Sequence, residues 1–217
     1  MMSPRMPWRR AKEMTKPKVL GRFVEVSNDT VRRAGKLFVF FMGAEYCPYC
    51  AAERWAIVRS LQKFGQWTGL KQTISAARDQ PFLNLPTYDF TEAVYNSPHI
   101  EFVAREVKDR DFKPLQKLLK TEETLVRKHN PKKEIPFLLI AGRFMQIGSG
   151  FPPKIFIGHT FRQTETELKR ADSEIRKTID DEANVITALL CVSGLPPELC
   201  KEAETVELVT QANAKLA

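Results

Sequence analysis

The feature that most restricts the fold of this chain is an apolar run at residues 37–42, Leu-Phe-Val-Phe-Phe-Met. A continuous run of this length, rich in Phe and Val, is typical of a strand that is buried on both faces of a mostly parallel sheet. A helical spacing of apolar residues follows from Pro48 and ends at Gly65. Proline costs no hydrogen bond in a first helical turn, and glycine commonly follows a last one. The sequence therefore predicts a central strand, a short turn and an amphipathic helix.

Two cysteines lie in the turn between this strand and this helix, in the order Cys47-Pro48-Tyr49-Cys50. Two thiols separated by two residues can close a small disulfide, and a helix start offers unpaired backbone amides that favour the thiolate of the first cysteine. In this context the motif indicates thiol–disulfide exchange. We expect Cys47 to be the nucleophile, Cys50 to be the resolving cysteine, and the pair to be reachable from solvent at the rim of the sheet.

A zinc site is the alternative for this motif, because structural zinc takes four Cys or His ligands and the chain would have to supply a second pair. Its other cysteines are Cys191 and Cys200. Its histidines, His99, His129 and His159, stand alone at no ligand-like spacing. We therefore expect neither a metal nor another bound cofactor, since the dithiol itself would carry the electrons.

The chain has 217 residues, of which 43% are hydrophobic and 28% charged, and this composition favours one globular domain with elaborations over two. It contains no stretch of about 18 apolar residues that would span a bilayer, and its N-terminus lacks the apolar core of a secretory signal. As the sequence stands, these features predict a cytoplasmic protein. An exported or membrane-anchored location stays open if an N-terminal segment is missing, because the cysteine pattern also suits an oxidising compartment.

The net charge of +8 is concentrated near the N-terminus. Residues 1–37 contain ten Lys and Arg against three Asp and Glu, whereas residues 38–217 contain 24 against 23. We expect residues 1–20 to form a disordered basic tail, for which a membrane surface is a candidate partner. Nucleic acid is not an expected partner, because no aromatic residues interleave with the basic ones on a strand.

The remaining elements follow from alternation and helical periodicity. Strands are predicted at residues 21–26, 70–76, 99–104 and 135–140, of which 70–76 would be a second central strand. The last of them turns at Gly142 into a hairpin with residues 143–147. Helical stretches are predicted at residues 114–129, 160–190 and 201–216. Residues 78–98, rich in Pro, Asn and aromatic residues, are predicted to be an irregular insert. This insert either covers one end of the sheet or forms a lip beside the dithiol that faces the substrate.

This order of elements resembles the thioredoxin superfamily. The phrase Glu-Ile-Pro-Phe-Leu-Leu at residues 134–139 is similar to the loop in which that fold places a cis proline against its active disulfide. The resemblance implies that Pro136 is cis and that the backbone beside it pairs with an incoming substrate strand. The alternative is an ordinary trans proline that opens an edge strand.

A longer resemblance, from about residue 21 to Cys200, is to the thioredoxin-like family called domain of unknown function 929. It rests on residues 40–56, which include the cysteine motif, and on residues 183–188. It implies a single α/β domain over residues 21–217, a thioredoxin-like central mixed sheet flanked by helices, with the irregular insert and a helical C-terminal extension from about residue 160. The family has no assigned substrate. Its members often carry an N-terminal membrane anchor, where this chain has a basic tail.

Two departures from thioredoxin itself bear on the mechanism. The buried acid that thioredoxin has six residues before its first cysteine falls here on Phe41, which leaves Glu45 as a candidate proton acceptor. A surface glutamate is the alternative for Glu45. The Pro-Tyr between the cysteines resembles glutaredoxin, whereas the Ile-Pro at residues 135–136 resembles thioredoxin. This mixture favours a protein substrate.

Cys191 and Cys200 flank a turn-rich link between two helical stretches. A disulfide between them would close a loop of about ten residues and stabilise the fold by about 2–3 kcal/mol, which would make it a structural clip. The alternatives are a second redox pair that exchanges electrons with Cys47 and Cys50, and a pair of free buried thiols.

The sequence thus predicts a protein thiol–disulfide oxidoreductase that acts on protein thiols or disulfides and is served by an unidentified redox partner. The direction of exchange and the oligomeric state are left open. From a different class, the chain is a thioredoxin-fold binding module that keeps its disulfides for stability and uses residues 82–95 as its contact surface. A nucleic-acid binder that acts through the basic tail is the third hypothesis.

Overall fold

The structure is a computed structural model that describes residues 19–216 of the chain. Its strands are β1 (Val19–Leu20), β2 (Phe23–Glu25), β3 (Arg32–Arg33), β4 (Lys36–Gly43), β5 (Gln66–Thr68), β6 (Lys71–Ile74), β7 (Pro86–Asp89), β8 (Val94–Asn96), β9 (Ile100–Glu106), β10 (Phe137–Ile140) and β11 (Phe144–Ile147). Its α-helices are α1 (Pro48–Leu61), α2 (Lys120–His129), α3 (Phe161–Lys169), α4 (Glu174–Val192) and α5 (Ala203–Leu216). Short 3₁₀ helices lie at Pro153–Phe156 and Pro197–Leu199.

The apolar run forms the middle of a mixed central sheet, as predicted. β4 pairs in parallel with β9 and antiparallel with β10, and β10 continues through β11 and β2 to β1. The side chains of β4 alternate between two apolar cores. The larger core contains Leu37, Val39 and Phe41, and the smaller one contains Phe38, Phe40 and Met42. Burying one such side chain contributes about 1.5–3 kcal/mol. The strand therefore stabilises the packing on both faces of the sheet.

Helices cover both faces of this sheet. On the larger core α1 packs against α4, and the hydroxyl groups of Ser60 and Thr187 are hydrogen-bonded across the contact at 2.9 Å. On the other face α2 contributes Val126, which is fully buried, to the smaller core. The observed fold class is therefore the predicted one, a mixed α/β sheet flanked by helices.

The start of α2 and the end of α1 differ from the predicted boundaries. α2 begins six residues later than expected, because the amides of Leu115 and Gln116 are bonded to carbonyl groups at and just after the end of β9. This stretch therefore runs alongside β9 before the helix starts. α1 ends at Leu61, because residues 62–64 already form a turn.

The insert is more regular than the sequence predicted. β7 and β8 fall within residues 78–98, where β7 pairs with β6 and β8 pairs with β5 in two separate two-stranded sheets. The prediction of a second central strand at residues 70–76 is wrong, because β6 lies outside the central sheet. Lys71 and Gln72 of β6 are exposed, whereas a central strand is buried on both faces.

Aromatic residues of β5 and β8 pack the β5–β8 sheet against the larger core. Trp67 of β5 stacks on Phe90 with the ring centres 5.5 Å apart. Tyr95 of β8 donates a hydrogen bond from Oη to the Leu61 carbonyl at 2.7 Å. The insert therefore covers the end of α1 as well as part of the sheet.

The predicted strand with a proline at its start is confirmed. β10 and β11 form an antiparallel hairpin joined by residues 141–143, in which Ala141 and Gly142 have φ values of 52° and 64° and the Arg143 amide donates to the Ile140 carbonyl at 3.0 Å. Positive φ at both positions is typical of the central residues of a type I′ turn, here over residues 140–143. The Ile135-Pro136 peptide bond is cis, as the family resemblance implied.

The N-terminal boundary of the sheet differs slightly from the predicted one. β1 begins at Val19 and pairs with β2, so the last two residues of the expected tail belong to the sheet. Residues 1–18, which carry the predicted membrane contact, lie outside the described residues. The C-terminal region is helical, as predicted, but residues 160–190 form two helices, α3 and α4, separated by a turn at residues 170–173, and α5 follows. No helix within residues 19–216 is long and apolar enough to cross a membrane.

Candidate active site

Cys47 is the N-cap residue of α1, in the turn where the sequence places the motif. Its backbone is extended, with φ −77° and ψ 121°, and its sulfur accepts a hydrogen bond from the Cys50 amide at 3.3 Å. The side chain therefore satisfies one of the amides that a helix start leaves unpaired. A thiolate in this position also faces the positive end of the helix dipole.

The two thiols differ in acidity. A hydrogen bond from the Cys50 thiol is the largest contribution that lowers the pKa of Cys47 below its ordinary value, and burial opposes it. Burial raises the pKa of Cys50 well above its ordinary value, and the hydrogen bond to Cys47 raises it further. The geometry therefore favours a thiolate on Cys47 while Cys50 keeps its proton.

The dithiol is less exposed than the sequence predicted. Cys47 keeps 4% of its surface accessible and Cys50 none, whereas Tyr49 between them is 40% exposed. Tyr46 lies next to Cys47 and packs against Phe112, with ring centres 4.6 Å apart and ring planes tilted by 33°. Burial, followed by the charges of the two cysteines, raises the pKa of Tyr46. A substrate sulfur can reach the site only through the small opening at Cys47.

Pro136 lies at the same end of the sheet as the dithiol. Phe137 pairs with Met42 in the antiparallel register of β10 and β4, so the cis proline lies next to Gly43. Gly43 in turn approaches the second cysteine, because a Cβ at this position would lie 3.3 Å from the Cys50 sulfur. The structure therefore brings Pro136 and the motif together, as the family resemblance implied.

Glu45 lies beside the site, two residues before Cys47. Its side chain helps to line a cavity of about 380 Å³, together with Ala77, Arg78, Asp109, Arg110 and Asp111. Burial, followed by the charges of Asp89 and Glu106, raises the pKa of Glu45. Within the part of the chain that the structure describes, its carboxylate makes no hydrogen bond to either cysteine. The role of proton acceptor therefore gains no support from the geometry.

A buried ion pair beside the dithiol, Arg54 with Glu106, is the feature that sequence reasoning missed. Both side chains are 1% exposed. Arg54 Nε donates to Glu106 Oε1 at 2.9 Å, and Nη2 donates to Glu106 Oε2 at 2.7 Å and to the Ala44 carbonyl at 2.9 Å. Nη1 is buried and has no hydrogen-bond partner among residues 19–216.

The helix and the sheet each contribute one member of this pair. Arg54 follows Cys50 by four residues, which puts the two side chains on one face of α1. Glu106 is the last residue of β9 and lies opposite Gly43 of β4. The helical spacing of Arg54 is visible in the sequence, whereas the register that brings Glu106 to it is not.

The ion pair and the thiols interact electrostatically. Burial opposes the charge of Arg54, but Glu106 and then the two thiols raise the pKa of Arg54 above its ordinary value. The largest effect on the pKa of Cys47 is the hydrogen bond from Cys50, and the largest effect on the pKa of Cys50 is burial. The charge of Arg54 makes a smaller contribution, which lowers the pKa of both thiols. A fixed positive charge therefore lies within reach of both sulfurs.

The model of the family described as Domain of unknown function (DUF929) matches residues 22–137, just over half of the chain. The chain belongs to this family. No curated protein and no solved structure matches the chain. The DUF929 match includes Cys47, Cys50, Arg54, Glu106 and Pro136, while Cys191 and Cys200 lie outside it.

In this DUF929 chain the insert reaches the motif as well as the core. Phe82 lies edge-on to Tyr49, with ring centres 6.3 Å apart. Thr87 Oγ1 donates a hydrogen bond to the Ala51 carbonyl, in the first turn of α1, at 2.8 Å. These contacts suit both roles that the sequence left open, a cover over the sheet and a lip beside the dithiol.

Cys191 and Cys200 are joined by a disulfide, with their Cα atoms 6.0 Å apart. Lys63, just beyond the end of α1, is bonded to Glu202 at 2.6 Å, so this disulfide lies near the C-terminal end of α1. α1 has 14 residues and is therefore about 20 Å long, with Cys47 at its other end. Direct exchange between the two cysteine pairs of one chain would need a rearrangement. The position favours a structural clip.

The disulfide also bears on the zinc alternative, because it occupies the second cysteine pair that such a site would use. Among the described residues, no group of three or more His, Cys, Asp or Glu side chains is placed to hold a metal ion.

Proposed function

We propose that this protein is a thiol–disulfide oxidoreductase with a thioredoxin-like fold, in which Cys47 and Cys50 exchange electrons with cysteines of other proteins. The observation that carries the proposal is the position of Cys47 as the N-cap residue of α1, where its sulfur accepts a hydrogen bond from the Cys50 amide at 3.3 Å. This arrangement favours one thiolate and one protonated thiol, the two species from which an exchange reaction starts.

The reducing direction has two steps. The Cys47 thiolate attacks one sulfur of a substrate disulfide, a bond forms between them, and the other substrate sulfur leaves as a thiolate. The Cys50 thiol then gives its proton to that thiolate or to water, and its sulfur attacks Cys47. A disulfide forms between Cys47 and Cys50, the second substrate sulfur leaves, and two electrons have passed to the substrate. The oxidising direction is the reverse, and a redox partner restores the starting state in either case.

The thioredoxin-like part of the proposal is supported by the way the sheet surrounds the motif. β4 leads directly into the cysteines and α1, β9 lies parallel on one side of it, and β10 lies antiparallel on the other. The cis Pro136 directly precedes β10, at the end of the sheet where the motif lies. These are the features on which the resemblance to that superfamily rests.

The surroundings of Cys47 favour a protein substrate. Tyr49 is exposed at the mouth of the motif, and Phe82 of the insert lies against it. An aromatic lip of this kind suits apolar side chains that flank a cysteine in a flexible protein segment. No further cofactor is needed, since the two sulfurs carry both electrons.

Two assays test the proposal, the reduction of insulin disulfides by dithiothreitol and the oxidation of reduced ribonuclease. We expect the wild-type protein to accelerate at least one of them and Cys47→Ser to be inactive in both. Cys50→Ser should accumulate a mixed disulfide with the substrate, because no second thiol resolves it. Equal rates for the wild type and Cys47→Ser in both assays would overturn the proposal.

A binding module without turnover is the second candidate function, and the burial of both free cysteines favours it. A pulse of alkylating reagent after mild reduction separates the two candidates. Selective reaction of Cys47 indicates an exchange site, because the thiolate is the reactive species. Resistance of both thiols, together with intact partner binding, indicates a binding module.

A further inference from the structure

The burial of Arg54 and Glu106 is not explained by stability alone. Taking two charges out of water is costly, and apolar side chains of similar volume often stabilise a fold equally well or better. Arg54 also leaves Nη1 buried and without a hydrogen-bond partner among residues 19–216, although buried polar groups normally have one. A thiolate in the reduced protein would give this guanidinium a second negative partner besides Glu106.

The contacts of the pair place the guanidinium at the dithiol. Nη2 of Arg54 donates to the Ala44 carbonyl, three residues before the first cysteine. Glu106, which holds Nε and Nη2, lies opposite Gly43 in the parallel register of β4 and β9. A Cβ at Gly43 would lie 3.3 Å from the Cys50 sulfur. The ion pair and the sulfur therefore share the end of β4.

The strand that leads into the motif supplies no proton acceptor. Phe41 of β4 packs edge-on against Phe90 with ring centres 5.5 Å apart. Glu45 lines the neighbouring cavity, and among the described residues it makes no hydrogen bond to either thiol. The fully buried Cys50 therefore needs another source of stabilisation when it becomes a thiolate.

We propose that Arg54 is the fixed cation of the exchange site, which stabilises first the Cys47 thiolate and then the Cys50 thiolate, and that Glu106 is the positioning residue that holds it. This inference rests on the proposed function. In the second step the Cys50 proton leaves with the released substrate thiolate or with water, and the negative charge stays on the Cys50 sulfur until that sulfur bonds to Cys47. A fixed positive charge acts more strongly on this sulfur than it would in water, because the site is buried.

Arg54 should also change the reduction potential of the Cys47–Cys50 couple in a defined direction. Thiolates exist only in the reduced protein, so a cation that stabilises them favours the reduced form and raises the reduction potential. Arg54 therefore makes the disulfide form a better oxidant of substrate thiols than the same site without it.

The first experiment replaces the cation and measures the thiolate directly. Arg54→Met removes the charge, Arg54→Lys keeps it, and Arg59→Met is the matched control, since Arg59 lies on the same helix and pairs with Asp180. We expect Arg54→Met to raise the pKa of Cys47 by about one unit, which lowers the rate of alkylation by iodoacetamide about tenfold at a pH below that pKa. The same tenfold change lowers the reduction potential by about 30 mV. Arg54→Lys should retain most of the wild-type values, and Arg59→Met should match the wild type.

The second experiment uses the sign of the effect to exclude a purely structural role. Glu106→Gln removes the negative charge but keeps one acceptor oxygen, which together with the Ala44 carbonyl still holds the guanidinium, so the pKa of Cys47 should fall or stay low. General loosening of the site would instead shift the pKa in the same direction in Arg54→Met and Glu106→Gln. If Arg54→Met does not fold, as judged by circular dichroism, the double variant Arg54→Met with Glu106→Leu removes both charges and should show the same raised pKa.

The outcomes separate this inference from the function on which it rests. A wild-type protein without activity in the insulin and ribonuclease assays overturns the proposed function. An active wild type whose Cys47 pKa and reduction potential are unchanged in folded Arg54→Met, or in the double variant, overturns only the role of Arg54.

Discussion

At the scale of single residues, the acidity of Cys47 depends on the proton of the Cys50 thiol. The Cys50 thiol donates a hydrogen bond to the Cys47 sulfur, and this bond is the largest contribution to the lowered pKa of Cys47. We predict that Cys50→Ala raises the pKa of Cys47, because the donor is lost, whereas Cys50→Ser keeps an O–H donor and much of the effect. The ultraviolet absorbance of the thiolate, followed as a function of pH, measures both values.

This titration reports a single group in the two variants. The chain has four cysteines, and Cys191 and Cys200 are bonded to each other and do not titrate. Cys47 is then the one free thiol that remains in either Cys50 variant. Identical pKa values in Cys50→Ala and Cys50→Ser would contradict the role of the Cys50 proton and would assign the acidity of Cys47 to the helix start instead.

At the scale of the elements, α1 and α4 meet at two buried carboxyl groups. Glu53 of α1 is fully buried and Glu182 of α4 is 7% exposed. The Gly150 amide donates to Glu53 at 2.9 Å. Burial raises the pKa of Glu182 to about 7, while burial followed by the charge of Glu182 raises the pKa of Glu53 well above its ordinary value. The contact between the two helices is therefore most favourable when these carboxyl groups are protonated.

We predict that the free energy of unfolding decreases as the pH rises through this range. The pKa of Glu182 is higher in the folded state, so the folded protein binds more protons and loses stability when they are released. The contribution of Glu182 is complete below its unfolded value of 4.5 and is lost as the pH passes about 7. A shift of this size corresponds to a change on the order of 3 kcal/mol, which urea unfolding at a series of pH values measures.

Glu182→Gln tests the assignment, because it keeps the shape of the side chain and removes the titrating group. It should flatten the decrease in stability. Asp180→Asn is the matched control two residues earlier on α4, where Asp180 pairs with Arg59 at 2.6 Å and is partly exposed. This control should leave the decrease in place. An equally steep decrease in Glu182→Gln would show that Glu53 or another group is responsible.

The elements that could be predicted from the sequence are those with a local pattern. A continuous apolar run predicts β4, and the spacing of Cys47 and Cys50 at a helix start predicts the dithiol. The sequence does not predict that β6 lies outside the central sheet, because a short segment does not show which strand it pairs with. Arg54 was missed for the same reason, since its partner Glu106 is 52 residues away and is brought to it by the parallel register of β4 and β9.

At the scale of the whole molecule, the two cysteine pairs lie at opposite ends of α1. The dithiol lies at the N-terminus of this helix, which is about 20 Å long, and the disulfide between Cys191 and Cys200 lies near its C-terminus. The disulfide joins α4, which packs along α1, to the segment that enters α5. A clip at this place restrains the C-terminal helices without contacting the exchange site.

We predict that replacing both Cys191 and Cys200 by Ser lowers the free energy of unfolding by about 2–3 kcal/mol, because the closed loop of about ten residues no longer restrains the unfolded chain. Urea unfolding measures this loss, and the insulin and ribonuclease assays are run on the same variant below its unfolding transition. Exchange activity and the pKa of Cys47 should equal those of the wild type, since the dithiol lies a helix length away. A variant that keeps its stability and loses activity would instead identify the second pair as a redox partner of the first, reached through a rearrangement or from a second molecule.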